Sequence, residues 1–132
     1  MRILISDDEH PNRILMDKLL SGYGECLITE NGAQAVEAVQ WSIEDDEPFD
    51  LICLDIMMPE LTGQEALREI RKLERDNGIP DEKAAKIIMC TSLDTDKDMT
   101  DAFFKGGCTD YLTKPITPDA LRSKLSEHGL IS

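Results

Sequence analysis

Four short apolar runs along the chain each lead to residues suited to handling charge. Ile3-Leu4-Ile5 precedes Asp7 and Asp8, Leu51-Ile52-Cys53-Leu54 precedes Asp55, Ile87-Ile88-Met89-Cys90 precedes Thr91, and Tyr111-Leu112-Thr113 precedes Lys114-Pro115. An unbroken apolar run is what a strand covered on both faces requires, and such strands belong to parallel sheets flanked by helices. Ligands of open parallel sheets bind beyond the carboxyl ends of the strands. Three carboxylates, a hydroxyl and an ammonium brought to one such edge would make a site.

Between these runs the apolar spacing becomes helical. Residues 11–20 carry Leu15, Met16, Leu19 and Leu20 and stop at Ser21-Gly22; after a strand at Cys26-Leu27-Ile28, Val36, Val39 and Ile43 mark a second helix. Ala66, Leu67, Ile70 and Leu73 mark a third, and the polar stretch 74–86, with Asn77-Gly78 and Ile79-Pro80, predicts a loop. Met99, Ala102 and Phe103 predict a fourth helix ended by Gly106-Gly107. Thr117 is the expected N-cap of a fifth, with Pro118 in its first position and Leu121 and Leu125 facing inward. Five strand–helix units in strict alternation predict an α/β fold, a parallel sheet with right-handed crossovers and helices on both faces.

A chain of 132 residues fits one domain and can bury a core without disulfides or structural metal. Its 27 acidic and 14 basic residues leave a net charge of -13, which opposes binding to nucleic acid or to an anionic membrane surface. Cys26, Cys53, Cys90 and Cys108 lie apart and mostly within apolar runs, as core thiols of a reducing compartment do. His10 and His128 stand alone in sequence, so no zinc pattern is present. The start of the chain lacks a signal-peptide core and no stretch is long enough to cross a bilayer, which predicts a cytoplasmic protein. The acidic residues 44–47, before Pro48, read as a solvated loop.

Asp7 and Asp8 either bind a divalent cation or form the acidic start of the first helix. Adding Asp55 makes three carboxylates, which would repel one another and raise one another's pKa values without a cation. Mg²⁺ suits oxygen ligands beside a phosphate better than zinc or copper does. An aspartate can itself accept a phosphoryl group once the incoming oxygens are neutralised. Asp55 is the candidate, since it ends the most buried run and is followed by Met58-Pro59 and Gly63, which shape a tight loop. Lys114 supplies a point charge, and its bond to Pro115 is a candidate cis peptide. Thr91 offers a hydroxyl for a phosphate oxygen or serves as a turn residue.

In this order, Ser6-Asp7-Asp8-Glu9, Asp55-Ile56-Met57-Met58-Pro59 with Gly63, Cys90-Thr91-Ser92 and Tyr111-Leu112-Thr113-Lys114-Pro115, the chain resembles the receiver domains of response regulators, the phosphoacceptor half of two-component signalling. The resemblance covers essentially all of 1–132. It implies a flavodoxin-like, CheY-like doubly wound sheet of five parallel strands in the order 2-1-3-4-5 with five flanking helices. It further implies that Asp7, Asp8, Asp55 and the backbone carbonyl of Met57 hold Mg²⁺, and that a histidine kinase or histidine phosphotransfer protein phosphorylates Asp55. Thr91 and Lys114 would contact the phosphoryl oxygens, and Tyr111 would be the switch aromatic, with the fourth helix, fifth strand and fifth helix as the readout face toward a downstream protein. Of Phe103 and Phe104, one ring is expected in the core and the other on that face.

Three positions depart from the family pattern. Thr62 stands where Asp is frequent, which is expected to alter only the loop. Met57 and Leu93 are apolar where fast-hydrolysing members carry polar groups, which predicts slow autodephosphorylation. With no output domain following in this sequence, the expected protein is a stand-alone receiver, monomeric or weakly dimeric, such as a chemotaxis or phosphorelay intermediate, or else a receiver cut from a longer polypeptide, and in either case a phosphoacceptor rather than an enzyme. A phosphatase or phosphotransferase using an aspartate nucleophile would need a second carboxylate where Met57 stands. A flavin-binding module would need a Ser/Thr/Gly-rich loop where Asp7-Asp8-Glu9 stands, and a degenerate receiver would not need the complete acidic set.

Overall fold

Strands β1 (Arg2–Ser6), β2 (Glu25–Thr29), β3 (Leu51–Asp55), β4 (Lys86–Thr91) and β5 (Asp110–Thr113) form a parallel sheet in the order β2-β1-β3-β4-β5. Helices α1 (His10–Leu20), α2 (Gly32–Glu44), α3 (Gly63–Asp76), α4 (Lys97–Gly106) and α5 (Pro118–Glu127) follow the strands in turn. The structure, a computed structural model, describes residues 1–58, 60–92 and 97–131, with Asp98 as backbone only.

Successive residues of a strand face opposite sides of the sheet, and the core divides accordingly. Leu4, Ile52, Leu54, Ile87 and Met89 pack under α2, α3 and α4, where Phe103 is fully buried. Ile3, Ile5, Leu51, Cys53, Ile88, Cys90 and Leu112 pack under α1 and α5, against Met16, Leu20, Leu121 and Leu125. All five residues of β3 are buried, as its unbroken apolar run predicts for a central strand. On the edge strand β2, Leu27 and Ile28 stay partly exposed. Leu15 also faces solvent, so the buried stripe of α1 is narrower than its apolar spacing suggests.

Register assembles the functional edge. Ser6 lies opposite Leu54, Asp55 opposite Cys90, and Thr91 opposite Thr113. The residues that follow β1, β3, β4 and β5 therefore emerge side by side.

The polar stretch 74–86 is not wholly a loop. Helix α3 continues through Asp76, and Asp81–Lys83 form a single 3-10 turn. The cause is a buried ion pair. Glu74, 6% exposed, accepts from Arg71 Nη1 at 2.7 Å and from the Ala85 N–H at 2.8 Å. Arg71 also donates to the carbonyls of Ala85 and Gly107, both at 2.8 Å, tying α3 to β4 and to the end of α4. Charged residues here do core work that hydropathy cannot reveal.

Thr117 caps α5 by accepting the Ala120 N–H, with Pro118 in the first position, as its sequence predicts. Helix α1 starts one residue before Pro11, at His10. Cys53, Cys90 and Cys108 are buried free thiols and Cys26 is partly buried.

Candidate functional site

At the carboxyl edge of the sheet Lys114 Nζ lies 2.8 Å from Asp55 Oδ1 and 3.4 Å from Asp7 Oδ2. Asp7 and Asp55 are 3% and 5% exposed, whereas Asp8 faces solvent. Asp7, Asp8 and Asp55 each offer an oxygen, all within 4.8 Å of one another. Thr91, also buried, ends β4 beside them, and its carbonyl accepts the Lys114 N–H at 2.7 Å. The structure thus brings together five of the residues singled out from sequence.

Burial is the strongest influence on Asp55 and raises its carboxyl pKa; the Lys114 hydrogen bond opposes this, Asp7 and Asp8 add to it, and the result stays above the ordinary value. Burial works against the Lys114 charge, but the hydrogen bond and attraction of Asp55, followed by Asp7, together hold the ammonium above its ordinary pKa. One ammonium thus faces three carboxylates, an electrostatic deficit that a further cation would relieve.

The donor set suits a small hard ion. Three carboxylate oxygens spanning no more than 4.8 Å are close to the span of about 4.2 Å across an octahedral Mg²⁺ shell. The neighbouring thiol, Cys90, is pushed by burial up to about 12 and offers no thiolate to a soft metal.

Local sequence explains how the acidic residues are held. The Asp7 carboxylate accepts the Glu9 N–H at 2.9 Å and the Asp7 carbonyl accepts from Arg13 at 2.9 Å. Asp7 thus accepts a bond from the residue that precedes α1, which itself has no side-chain cap, and pairs with Lys114. After Asp55 the chain turns so tightly that a Cβ on Gly63 would sit 2.2 Å from the Asp55 carbonyl oxygen, and the Gly63 N–H bonds the Ile56 carbonyl at 3.0 Å. Thr62 lies at the end of this loop. It forms a reciprocal capping box with Glu65 that starts α3. The Lys114-Pro115 bond is cis. Pro59 and Leu93, expected to shape the loop and to tune dephosphorylation, lie outside the described residues.

Beyond the carboxylates lies an open cleft of about 310 Å³ lined by Asp55, Met57, Thr91 and Lys114, and also by Glu9 and Met99. Met57 is 76% exposed, its side chain free of the core. Met99 read as a core position of α4, yet it stays partly exposed and walls this cleft.

Tyr111 is half-buried on β5, and Phe104, 48% exposed, meets it edge-on with ring centroids 6.3 Å apart. Phe103 is the core ring and Phe104 the exposed one. His128, solitary in sequence, is not so in space. Its Nε2 lies 2.8 Å from Asp110 Oδ2, which also pairs with Lys124 at 3.0 Å, fastening the end of α5 to the start of β5.

Residues 3–126 match the family model of the response regulator receiver domain. The chain is 33% identical to the chemotaxis protein CheY of Bacillus subtilis over 128 residues, covering 96% of this chain and 95% of that one. Against several longer relatives, sensor and hybrid histidine kinases and a transcriptional regulatory protein, it spans only 4% to 25% of their length. Among solved structures it superposes on the receiver domain of Ssk1 in its co-crystal with the histidine phosphotransfer protein Ypd1 of Saccharomyces cerevisiae, at TM-score 0.81 and 28% identity, covering 96% of this chain and 87% of that one. It also superposes on the receiver domain of the Arabidopsis thaliana histidine kinase CKI1 complexed with Mg²⁺ and BeF₃⁻, at TM-score 0.79 and 28% identity, covering 95% and 89%. The full-length match, the sheet order and the aspartate–lysine cluster agree, and the chain belongs to the response regulator receiver domain family of two-component signalling.

Proposed function

We propose that this chain accepts a phosphoryl group on Asp55 in a Mg²⁺-dependent reaction and passes the signal on by protein–protein contact, acting as a phosphoacceptor rather than as an enzyme on other substrates. The observation that carries this reading is the Lys114 ammonium, 2.8 Å from Asp55, opposite a cluster of three carboxylates. Asp7, Asp8, Asp55 and the Met57 carbonyl would hold the ion, which when bound neutralises phosphoryl oxygens. An Asp55 carboxylate oxygen attacks phosphorus, and the donor's bond to phosphorus breaks as the new bond forms. Lys114 then exchanges its carboxylate partner for a phosphoryl oxygen, and the Thr91 hydroxyl donates to another.

Phosphorylation brings about two negative charges to this edge. Thr91 on β4 and Tyr111 on the neighbouring strand would transmit the change to the face made by α4, β5 and α5, where Phe104 is exposed. The donor is a histidine kinase or phosphotransfer protein, a reading supported by the likeness to the Ssk1 receiver seen with Ypd1. The match to the chemotaxis protein CheY supports a receiver role, and in this reading the receiver signals through another protein in the cytoplasm, as a monomer or weak dimer. Apolar Met57 beside the acceptor supports slow autodephosphorylation, with a lifetime longer than seconds.

Intact-protein mass after incubation with acetyl phosphate tests the reading. A Mg²⁺-dependent phosphate adduct on the wild type that is absent from Asp55→Asn is expected. No adduct on the wild type would overturn it.

A further inference from the structure

The carbonyl end of a helix favours a cation, and α1, α3, α4 and α5 each carry one in the last turn: Lys18, Arg75, Lys105 and Lys124. Helix α2 has none. It ends on Glu44 and runs on into Asp45, Asp46 and Glu47, all exposed, so negative charge gathers at the negative end of its own dipole. The Asp46 and Glu47 N–H groups bond back to the Ile43 and Ser42 carbonyls, which fixes the turn that presents these acids. Glu47 pairs with Arg2 at 2.6 Å and Glu44 accepts only a long bond from Gln40 at 3.3 Å. Among the described residues no cation pairs with Glu44, Asp45 or Asp46.

The sole tryptophan of the chain stands beside them. Trp41 is 59% exposed, while Ala35, Ala38, Val39 and Ser42 bury the opposite side of α2. Glu37 precedes it by four residues and Glu44 follows it by three, so the indole lies between two exposed carboxylates on one stripe of the helix. A single exposed apolar side chain needs no account. An aromatic face flanked by carboxylates is different, since both attract a cation.

We propose that the outer face of α2 and the turn after it form a docking surface for an arginine-bearing segment of a partner protein. One guanidinium lies on the Trp41 ring, and neighbouring cations meet Glu37, Glu44, Asp45 and Asp46. Arginine suits this surface better than lysine, because a planar guanidinium stacks on an aromatic ring and pairs with carboxylates through two bonds. A second copy of the chain is a poor occupant, since each copy carries -13 and the same acidic turn. Residues 44–47 precede β3 whereas Asp55 ends it, so the surface lies away from the phosphoacceptor edge and does not depend on it.

The test titrates the full chain at low salt with alanine-based peptides carrying arginine, lysine or glutamate at helical spacing. Binding is read by the anisotropy of labelled peptide, and unlabelled peptide is followed by the emission of Trp41. Saturable binding of the arginine peptide with a change in Trp41 emission is expected, with weaker binding of the lysine peptide and none of the glutamate peptide. Trp41→Ala should weaken binding about two- to fivefold, and Glu44→Lys combined with Asp45→Lys about tenfold. Asp101→Lys combined with Asp119→Lys changes the net charge equally and should weaken it less than about twofold. Without peptide, the Glu44→Lys, Asp45→Lys variant should melt about 2–4 °C above the wild type, because its new charges suit the carbonyl end of α2. A lower midpoint would mean that the acids serve the fold, and it overturns the proposal. So do an absence of saturable binding, binding that leaves Trp41 emission unchanged, equal losses in the two charge variants, and a Trp41 emission that depends on protein concentration without peptide, which would assign the face to a second copy.

Discussion

Gly63→Ala reads the geometry of the acceptor loop with a single methyl group. The added Cβ would stand 2.2 Å from the Asp55 carbonyl oxygen, 2.9 Å from Ile56 Cα and 3.0 Å from the Asp55 carbonyl carbon. All three are backbone atoms, so no side-chain rotation relieves the clash, and the loop must open by about 1 Å to reach ordinary van der Waals distance. Overpacking of this kind costs about 1–3 kcal/mol, and the backbone contact places this site near the top of that range. With a urea m-value of about 1.5 kcal/mol/M, a loss of about 3 kcal/mol lowers the unfolding midpoint by about 2 M. The same displacement acts on the acceptor, and misplacing a reacting group by about 1 Å costs about a hundredfold in rate. Urea unfolding and initial rates with acetyl phosphate measure the two effects separately. Gly22→Ala is the control, since its Cβ would meet nothing within 4 Å, and it should change stability by less than about 0.5 kcal/mol. If Gly63→Ala matched the wild type within about 0.5 kcal/mol and reacted within about threefold of its rate, the tight turn would not be what positions Asp55.

Three further outcomes are expected. Glu74→Ala removes the carboxylate partner of the part-buried Arg71 guanidinium and the acceptor of the Ala85 N–H and should cost about 1–3 kcal/mol by chemical denaturation, with Arg71→Met combined with Glu74→Leu costing less than the two single truncations together. Asp110 is held below the ordinary carboxylate value because its bonds from His128, the Tyr111 N–H and Lys124 outweigh the opposing effect of burial, which is the largest single influence. A depressed carboxyl contributes stability above its unfolded pKa of about 3.9 and loses it as pH falls through the folded value, so the stability gap between wild type and Asp110→Asn should close as pH drops below about 4; a gap that widens with acid would contradict the assigned pairs. Mg²⁺ at a hundred times its Kd should stabilise the wild type by about 2.7 kcal/mol, seen as a higher thermal midpoint. Asp8→Ala, at an exposed site, should lose that gain with little change in the metal-free midpoint.

What could be read from the sequence follows from where its signals reside. Strands that are continuous apolar runs announce themselves, and parallel register then fixes which neighbours share an edge, so Asp7, Asp55, Thr91 and Lys114 were legible before any contact was known. The order of the strands came from resemblance to a family, not from periodicity. Contacts between distant segments left no local signal: Glu74 opens a polar stretch that reads as loop, Arg71 reads as a polar helix position, and the partner that gives His128 its role lies 18 residues away on β5. Hydropathy also misplaced residues in the other direction. Leu15 and Met99 fit helical core spacing, yet each faces an opening, because the width of a buried stripe depends on what covers it rather than on the helix itself.

Chemical trapping of the phosphorylated residue tests directly whether Asp55 is the acceptor. Borohydride reduction converts an aspartyl phosphate to homoserine, and peptide mapping by tandem mass spectrometry then locates it. After reaction with acetyl phosphate and Mg²⁺, homoserine is expected at position 55 and nowhere else, and it should disappear when Mg²⁺ is withheld. Homoserine at position 7 or 8, or an Asp55 that stays intact while the protein carries a phosphate adduct, would contradict the account.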